Sequence, residues 1–220
     1  MKKVVFLASG NGGTLKFTHF ALQKFDLDFK IIAVIADREC GALEFASKAD
    51  ISNHNIEYSR KNPSKLQELL IKIRPDVIVT NFHKIIDEET LGLYPNSFIN
   101  LHYSILPAFG GLIGMKTIDE AEKVNSKFVG ATCHTVIPEV DAGKIISQCS
   151  VPVNWNIVDK PTLIETVFRS ACLTFLNGLI ESINESETSN INGFQVQFNP
   201  GLIFNSSLLD EDFWNQLKMA

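Results

Sequence analysis

Three apolar runs without polar alternation constrain this chain most. Residues 4–8 (Val-Val-Phe-Leu-Ala), 31–36 (Ile-Ile-Ala-Val-Ile-Ala) and 77–80 (Val-Ile-Val-Thr) offer no polar face to water. Such strands are stable in a sheet covered on both sides. Between them, residues 14–25, 41–50 and 64–73 place apolar side chains near 3.6 spacing, the period of a helix with one buried stripe. In the last segment Pro63-Ser64 opens the pattern and Arg74-Pro75 closes it. Strand and helix in alternation predict an α/β fold, a doubly wound and mostly parallel sheet flanked by helices. A length of 220 residues with 45% hydrophobic residues suffices for one sizeable core and a single domain.

The second half reads differently. Residues 97–101, 128–136 and 145–153 are expected strands and 114–124 an expected helix, continuing the sheet with room for antiparallel members. A long helix over 161–183 follows Asp159-Lys-Pro161, and the polar stretch 184–190 reads as an exposed loop. Residues 193–198 and 202–204 flank Asn199-Pro-Gly201, the pattern of a hairpin. Phe194, Phe198, Phe204, Phe213 and Trp214 make this tail too apolar for disorder, so it should pack on the core or on another subunit. The expected division is a catalytic domain over 1–183, with loop, hairpin and short helix over 184–220 packed on it.

Charge and cysteine content exclude several classes. Lys and Arg total 20 against 25 Asp and Glu, a net charge of −5, which gives no electrostatic case for nucleic acid. Cys40, Cys133, Cys149 and Cys172 are far apart and outside any CxxC spacing. Neither a zinc site nor a secreted disulfide framework follows, and reduced thiols in a cytoplasm are expected. The apolar start is cut at about six residues by Gly10-Asn-Gly-Gly13, too short for a signal peptide and better read as a buried first strand. No later apolar stretch is expected to reach the roughly 18 to 20 residues of a membrane span.

Two polar features remain. Ser9-Gly-Asn-Gly-Gly-Thr14 joins the first strand to the first helix, where amides and a helix N-terminus can take a phosphate or other anion. It is neither a GxGxxG nor a Walker loop, and a bare tight turn stays open as the plain alternative. Asp37, after the second strand, hints at a nucleotide cofactor, but the glycine spacing does not fit one. Further on, Asn100 and His102 stand two apart on an expected strand and so share a face. An amide can hydrogen-bond an oxyanion, an imidazole can move a proton, and a carboxylate such as Asp141 can hold or recharge the imidazole. Spacing alone does not bring Asp141 to His102, and a buried histidine beside a turn asparagine is the bland alternative.

The stretches Ala8-Ser-Gly-Asn-Gly12, Arg74-Pro-Asp-Val-Ile-Val79, Asn100-Leu-His-Tyr-Ser-Ile-Leu-Pro107, Gly130-Ala-Thr-Cys-His134 and Val140-Asp-Ala-Gly143 resemble those of the folate-dependent formyltransferases over roughly residues 1–155. The resemblance implies a Rossmann-like sheet, 10-formyltetrahydrofolate as co-substrate, no metal, and Asn100, His102 and Asp141 as the catalytic trio. It implies glycinamide ribonucleotide of purine biosynthesis as the amine acceptor, with Gly12, Gly13 and Thr14 on its phosphate. The folate would be contacted by His83, Lys84, Ile85, Ile86, Val140 and Gly143, with Thr132 and His134 in support. A solvated loop is the alternative for His83 and Lys84. The partners implied are small molecules, neither nucleic acid nor membrane, and the chain would be a monomer or homodimer in the cytoplasm.

Some positions depart from the family pattern. Members acting on glycinamide ribonucleotide read Gly-Ser-Asn where this chain has Gly12-Gly13-Thr14, and a Glu-His pair where it has Ala171-Cys172. After Pro107, Ala108-Phe-Gly-Gly-Leu-Ile-Gly114 replaces a more polar run. These differences leave formyl transfer intact while keeping another acceptor, such as a nucleotide-linked amino sugar, as an alternative, along with a folate-binding relative without turnover. Deformylation of the folate and formylation of methionyl-tRNA normally bring an added domain, which a first strand at residue 3 and 220 residues are not expected to accommodate.

Overall fold

The parallel half is organised around β1 (Lys2–Ala8), whose last five residues are buried. The computed structural model describes residues 1–181, 189–191, 194–199 and 201–220. They divide into two compact units, residues 1–100, 136–138 and 207–220 in one, and 101–135 with 139–206 in the other.

In the first unit the chain alternates as the apolar runs predict: α1 (Gly13–Lys24), β2 (Phe29–Ala36), α2 (Gly41–Lys48), β3 (Ser52–Asn55), α3 (Ser64–Ile73), β4 (Val77–Asn81), α4 (Glu88–Leu93) and β5 (Phe98–His102). Its strands pair in parallel in the order β3-β2-β1-β4-β5. β1 to β3 run outward on one side and β4 and β5 on the other, so the order reverses between β1 and β4. In open α/β sheets ligands settle at that switch, beyond the carboxyl ends of the strands. The loops there are the glycine loop after β1 and residues 82–87 after β4. Val5, Leu7, Ile35, Ile78 and Phe98 meet Leu66 and Leu70 of α3 in a core that also takes in Tyr58 and Ile86.

Several ends follow from local chemistry. Arg74 closes α3 in the left-handed conformation (φ 53°) just before Pro75, which disfavours further helix. Asp87 caps α4 by accepting from the Thr90 N–H at 2.8 Å. β3 and α4 have no counterpart in the sequence reading. β3 is Ser-Asn-His-Asn, an edge strand without an apolar residue, and α4 is too short at six residues to display a period.

The second unit takes in the end of β5, then α5 (Lys116–Lys123), β6 (Phe128–Thr135), β7 (Ile145–Pro152), α6 (Lys160–Ile180), β8 (Ser189–Ile191) and β9 (Phe194–Asn199). Within it β6 pairs with β7, β7 with β9 and β8 with β9, each antiparallel. The turn of the hairpin expected around residues 199–201 takes in residue 200, which lies outside the described residues; β9 pairs with β7 and β8. After it the chain is tied to α6, where the Asn177 carboxamide donates to the Gly201 carbonyl at 2.9 Å and accepts from the Ile203 N–H at 3.0 Å. The loop expected over 184–190 lies mainly outside the described residues, and its last two positions belong to β8.

α6 also corrects an expectation about apolar length. Its 21 residues, with mean hydropathy 1.3 over the best window, would suffice by length and composition to cross a membrane, yet 78% of that window is buried inside the protein. It is the central helix of this unit. Its hydroxyls are satisfied inwardly, Thr166, Ser170 and Thr174 each donating to the carbonyl four residues back at 2.8 Å. Gly178 permits close approach to β6, since a Cβ there would lie 2.7 Å from Cys133 Sγ.

The chain ends in α7 (Glu211–Met219), capped by Asp210 and belonging to the first unit. Trp214 stacks on Phe17 of α1 at 5.5 Å and Phe213 meets the same ring edge-on at 5.8 Å.

Candidate active site

The strongest chemistry lies in the second unit, where β5 ends at His102 and a loop leaves it. The His102 Nε2 is 3.0 Å from the Phe109 carbonyl. A carbonyl can only accept, so Nε2 carries a hydrogen and Nδ1 faces the Asp141 Oδ2 at 3.3 Å. His134 approaches the same carboxylate from β6, its Nε2 3.5 Å from Oδ1, while its Nδ1 lies 2.8 Å from the Thr135 carbonyl. A third donor, the Gly111 N–H, reaches Oδ2 at 2.7 Å. Asp141 thus sits between two imidazoles whose other nitrogens are fixed by backbone carbonyls. Burial pushes its carboxyl pKa up, but the bonds from His134 and Gly111 and the charges of the two imidazoles outweigh burial and hold it below the ordinary carboxylate value.

Backbone geometry supports this arrangement. Phe109 (φ 59°), Gly111 (φ 81°) and Asp141 (φ 54°) are all left-handed, turning the Phe109 carbonyl and the Gly111 N–H toward the cluster. Thr132 braces the preceding turn, accepting from the Leu106 N–H at 3.0 Å and donating to the Ser104 carbonyl at 2.7 Å. Gln148 adds bonds to Thr132 and to the Leu106 carbonyl. Gly143 is where a side chain has no room, because its Cβ would lie 1.7 Å from the Thr135 carbonyl oxygen. Val140, half-exposed, stands beside Asp141.

The sequence brings His102, Asp141, Thr132 and His134 forward; the structure gathers the two imidazoles on the Asp141 carboxylate and places Thr132 on the turn after β5. Asn100 lies two residues earlier on β5, within the first unit. The roles of Phe109, Gly111 and Gln148 were not anticipated. Paired glycines at 110 and 111 were the available signal for the first two, whereas a lone glutamine in a strand gives none.

In the first unit, Gly12 is left-handed (φ 73°) and precedes α1, which no side chain caps. A Cβ at Gly12 would lie 3.0 Å from that of Ala42. Thr14, in contrast, is turned inward: its side chain is buried and its Oγ1 accepts from the Asn81 carboxamide at 3.4 Å. What Gly12, Gly13 and Thr14 offer an anion is therefore backbone. Asp37 is committed elsewhere, to Arg38 through two bonds of 3.1 and 2.7 Å and to the Ser9 hydroxyl, so the residue that hinted at a nucleotide cofactor is already paired.

His83, Lys84 and Ile85 are exposed after β4, with the His83 N–H donating to Ser9 Oγ at 2.9 Å. Ile86 is different. It is a core residue, 3% exposed, and its side chain is taken up by packing, leaving its backbone to face a ligand. Ala171 and Cys172 are wholly buried within α6, so no side chain there reaches a substrate.

A parallel α/β sheet with ligand loops at its switch point, and a carboxylate clasped by two imidazoles, defines an α/β protein equipped for general acid–base chemistry. Residues 2–167 match the formyl transferase family, and the chain belongs to that family. It is 31% identical over 157 residues to the phosphoribosylglycinamide formyltransferase of Mycobacterium tuberculosis, covering 69% of this chain and 71% of that one. Identity to the chloroplastic phosphoribosylglycinamide formyltransferase of Vigna unguiculata is 30% over 164 residues, 70% of this chain. The chain spans about half the length of that relative, 53%. Among solved structures, the phosphoribosylglycinamide formyltransferase from Coxiella burnetii superposes with a TM-score of 0.72 at 30% identity, covering 79% of this chain and 83% of that one.

Proposed function

We propose that this chain transfers the formyl group of 10-formyltetrahydrofolate to a primary amine, that of glycinamide ribonucleotide, in purine biosynthesis. The observation that carries the reading is the Asp141 carboxylate at 3.3 and 3.5 Å from His102 and His134, in a member of the formyl transferase family. The neutral amine attacks the formyl carbon, forming the new C–N bond and turning the carbonyl oxygen into an oxyanion. Asn100 and the protonated His102 hydrogen-bond that oxyanion. Asp141, ionised at neutral pH, takes the amine proton directly or through water. Collapse of the tetrahedral species breaks the bond to the folate nitrogen, which leaves with a proton.

The remaining assignments belong to the same proposal. Residues 83–86 and the backbone at Val140 and Gly143 contact the folate, Thr132 and His134 hold the catalytic loop and Asp141, and the amides at Gly12, Gly13 and Thr14 take the acceptor's phosphate. The test is tetrahydrofolate release from 10-formyltetrahydrofolate in the presence of glycinamide ribonucleotide, a nucleotide-linked amino sugar, or water alone. Release that depends on glycinamide ribonucleotide is expected. Reaction with the amino sugar only would overturn the acceptor, and folate binding without transfer to any amine would overturn the enzymatic reading.

A further inference from the structure

Tyr58 carries no role in formyl transfer as set out above, yet it is wired into the loop proposed to face the donor. Its side chain is 4% exposed. The hydroxyl accepts from the Asp87 N–H at 2.9 Å and lies within donating distance of Asp87 Oδ2 at 3.0 Å and the Ile85 carbonyl at 3.3 Å. Its ring packs against Phe82 at 5.5 Å. One side chain thus touches residues 82, 85 and 87. The other end of the segment is held by the His83 N–H on Ser9 Oγ at 2.9 Å. Between these ties the side chains of His83, Lys84 and Ile85 stand exposed.

Asp87 is itself fixed, capping α4 through Thr90, whose hydroxyl donates to Asp87 Oδ2 at 2.6 Å and accepts from Gln67 of α3 at 3.1 Å. The chain of bonds therefore runs from α3 through α4 to Tyr58 and ends on the loop backbone. Only a group that donates and accepts at one atom can close it, and a tyrosine hydroxyl does both. Burial pushes the phenol well above its ordinary pKa, so it keeps its proton throughout the working range of pH.

We propose that Tyr58 is a positioning residue for the formyl donor, its hydroxyl setting the shape in which residues 83–86 meet the folate. The inference rests on the formyl-transfer reading. Tyr58→Phe keeps the ring on Phe82 and removes the hydroxyl, leaving the buried Asp87 N–H without its partner. A loss of that kind corresponds to about 10-fold in affinity.

The experiment is steady-state kinetics of wild type and Tyr58→Phe with 10-formyltetrahydrofolate and glycinamide ribonucleotide, each varied in turn. KM for the donor should rise on the order of 10-fold, with kcat and the acceptor KM unmoved. An unmoved donor KM, or an equal rise for both substrates, overturns the inference. A wild type inert with the donor overturns the formyl-transfer reading itself. Hydrogen exchange on the wild type gives a check that needs no variant. The His83 and Asp87 amides should exchange slowly before any folate is added, and exchange at the rate of an exposed peptide would count against a preset loop.

Discussion

Asp141 shows how a single carboxylate acquires its properties from three donors. His102 and His134 each spend one ring nitrogen on a backbone carbonyl and turn the other to the carboxylate, while the Gly111 N–H donates to it. Because the carboxyl pKa is held below its ordinary value, the base is ionised across the neutral range. Asp141→Asn retains volume and can still accept from Gly111, but it loses the charge. Turnover should fall by at least about 100-fold while the circular dichroism spectrum stays that of the wild type. Wild-type kinetics in that variant would remove Asp141 from the mechanism. At this scale His102 and Asp141 were legible as types of residue, and their meeting was not. The contact depends on left-handed turns at Phe109, Gly111 and Asp141, of which only the glycine leaves a mark in the sequence.

At the scale of elements, the parallel strands were legible because burial on both faces leaves runs of Val, Ile and Ala that little else explains. Polar or very short elements were not, as β3 and α4 illustrate. The segment after β9 is held from α6, where the buried Asn177 carboxamide binds the backbone of Gly201 and Ile203. Asn177→Ala should therefore deprive the buried Gly201 carbonyl and the part-buried Ile203 N–H of this partner and cost about 1–3 kcal/mol, measured as a shift of the urea midpoint. No shift would place the 201–203 segment under other control. A second prediction concerns the ends of β1 and β2, where Asp37 is paired with Arg38 and Ser9. Burial raises this carboxyl, and its bonds to Arg38 and Ser9 depress it further than burial lifts it. A depressed folded-state value contributes stability that is present above the ordinary carboxylate pKa of about 4 and is lost as pH falls through the folded-state value. Urea midpoints of wild type and Asp37→Asn should differ at neutral pH and converge below about pH 4. A constant difference would show that the carboxylate charge is not the source.

At the largest scale, the chain leaves its first unit at Leu101, touches it again at residues 136–138 and rejoins it from Ser207, so α7 packs on α1. Trp214 seals that return by stacking on Phe17 and donating its indole N–H to the Leu209 carbonyl at 2.9 Å. Trp214→Ala should destabilise the protein by about 3–5 kcal/mol, read from urea unfolding. A near-neutral result would make α7 an appendage. That the tail was apolar could be seen in the sequence; which surface it covered could not, because an aromatic cluster near a terminus packs equally well on its own core or on a neighbour. The family resemblance runs through glycines, prolines and Asn100, His102 and Asp141, whereas the chain departs from the family pattern at Thr14, which is turned inward, and Ala171, which is buried.

The Ser9 hydroxyl has a consequence for how such a chain can change. It donates to Asp37 beyond β2 and accepts from the His83 N–H beyond β4, so three strand ends meet on one oxygen. A mutational route toward reading a nucleotide ribose would have to release Asp37, and substituting Arg38 frees only part of it. Substituting Ser9 frees the rest but unties His83 in the same step. A new ligand specificity at one loop therefore comes at the expense of order in the other, which makes Ser9 a position where gradual drift is blocked and paired substitutions are required.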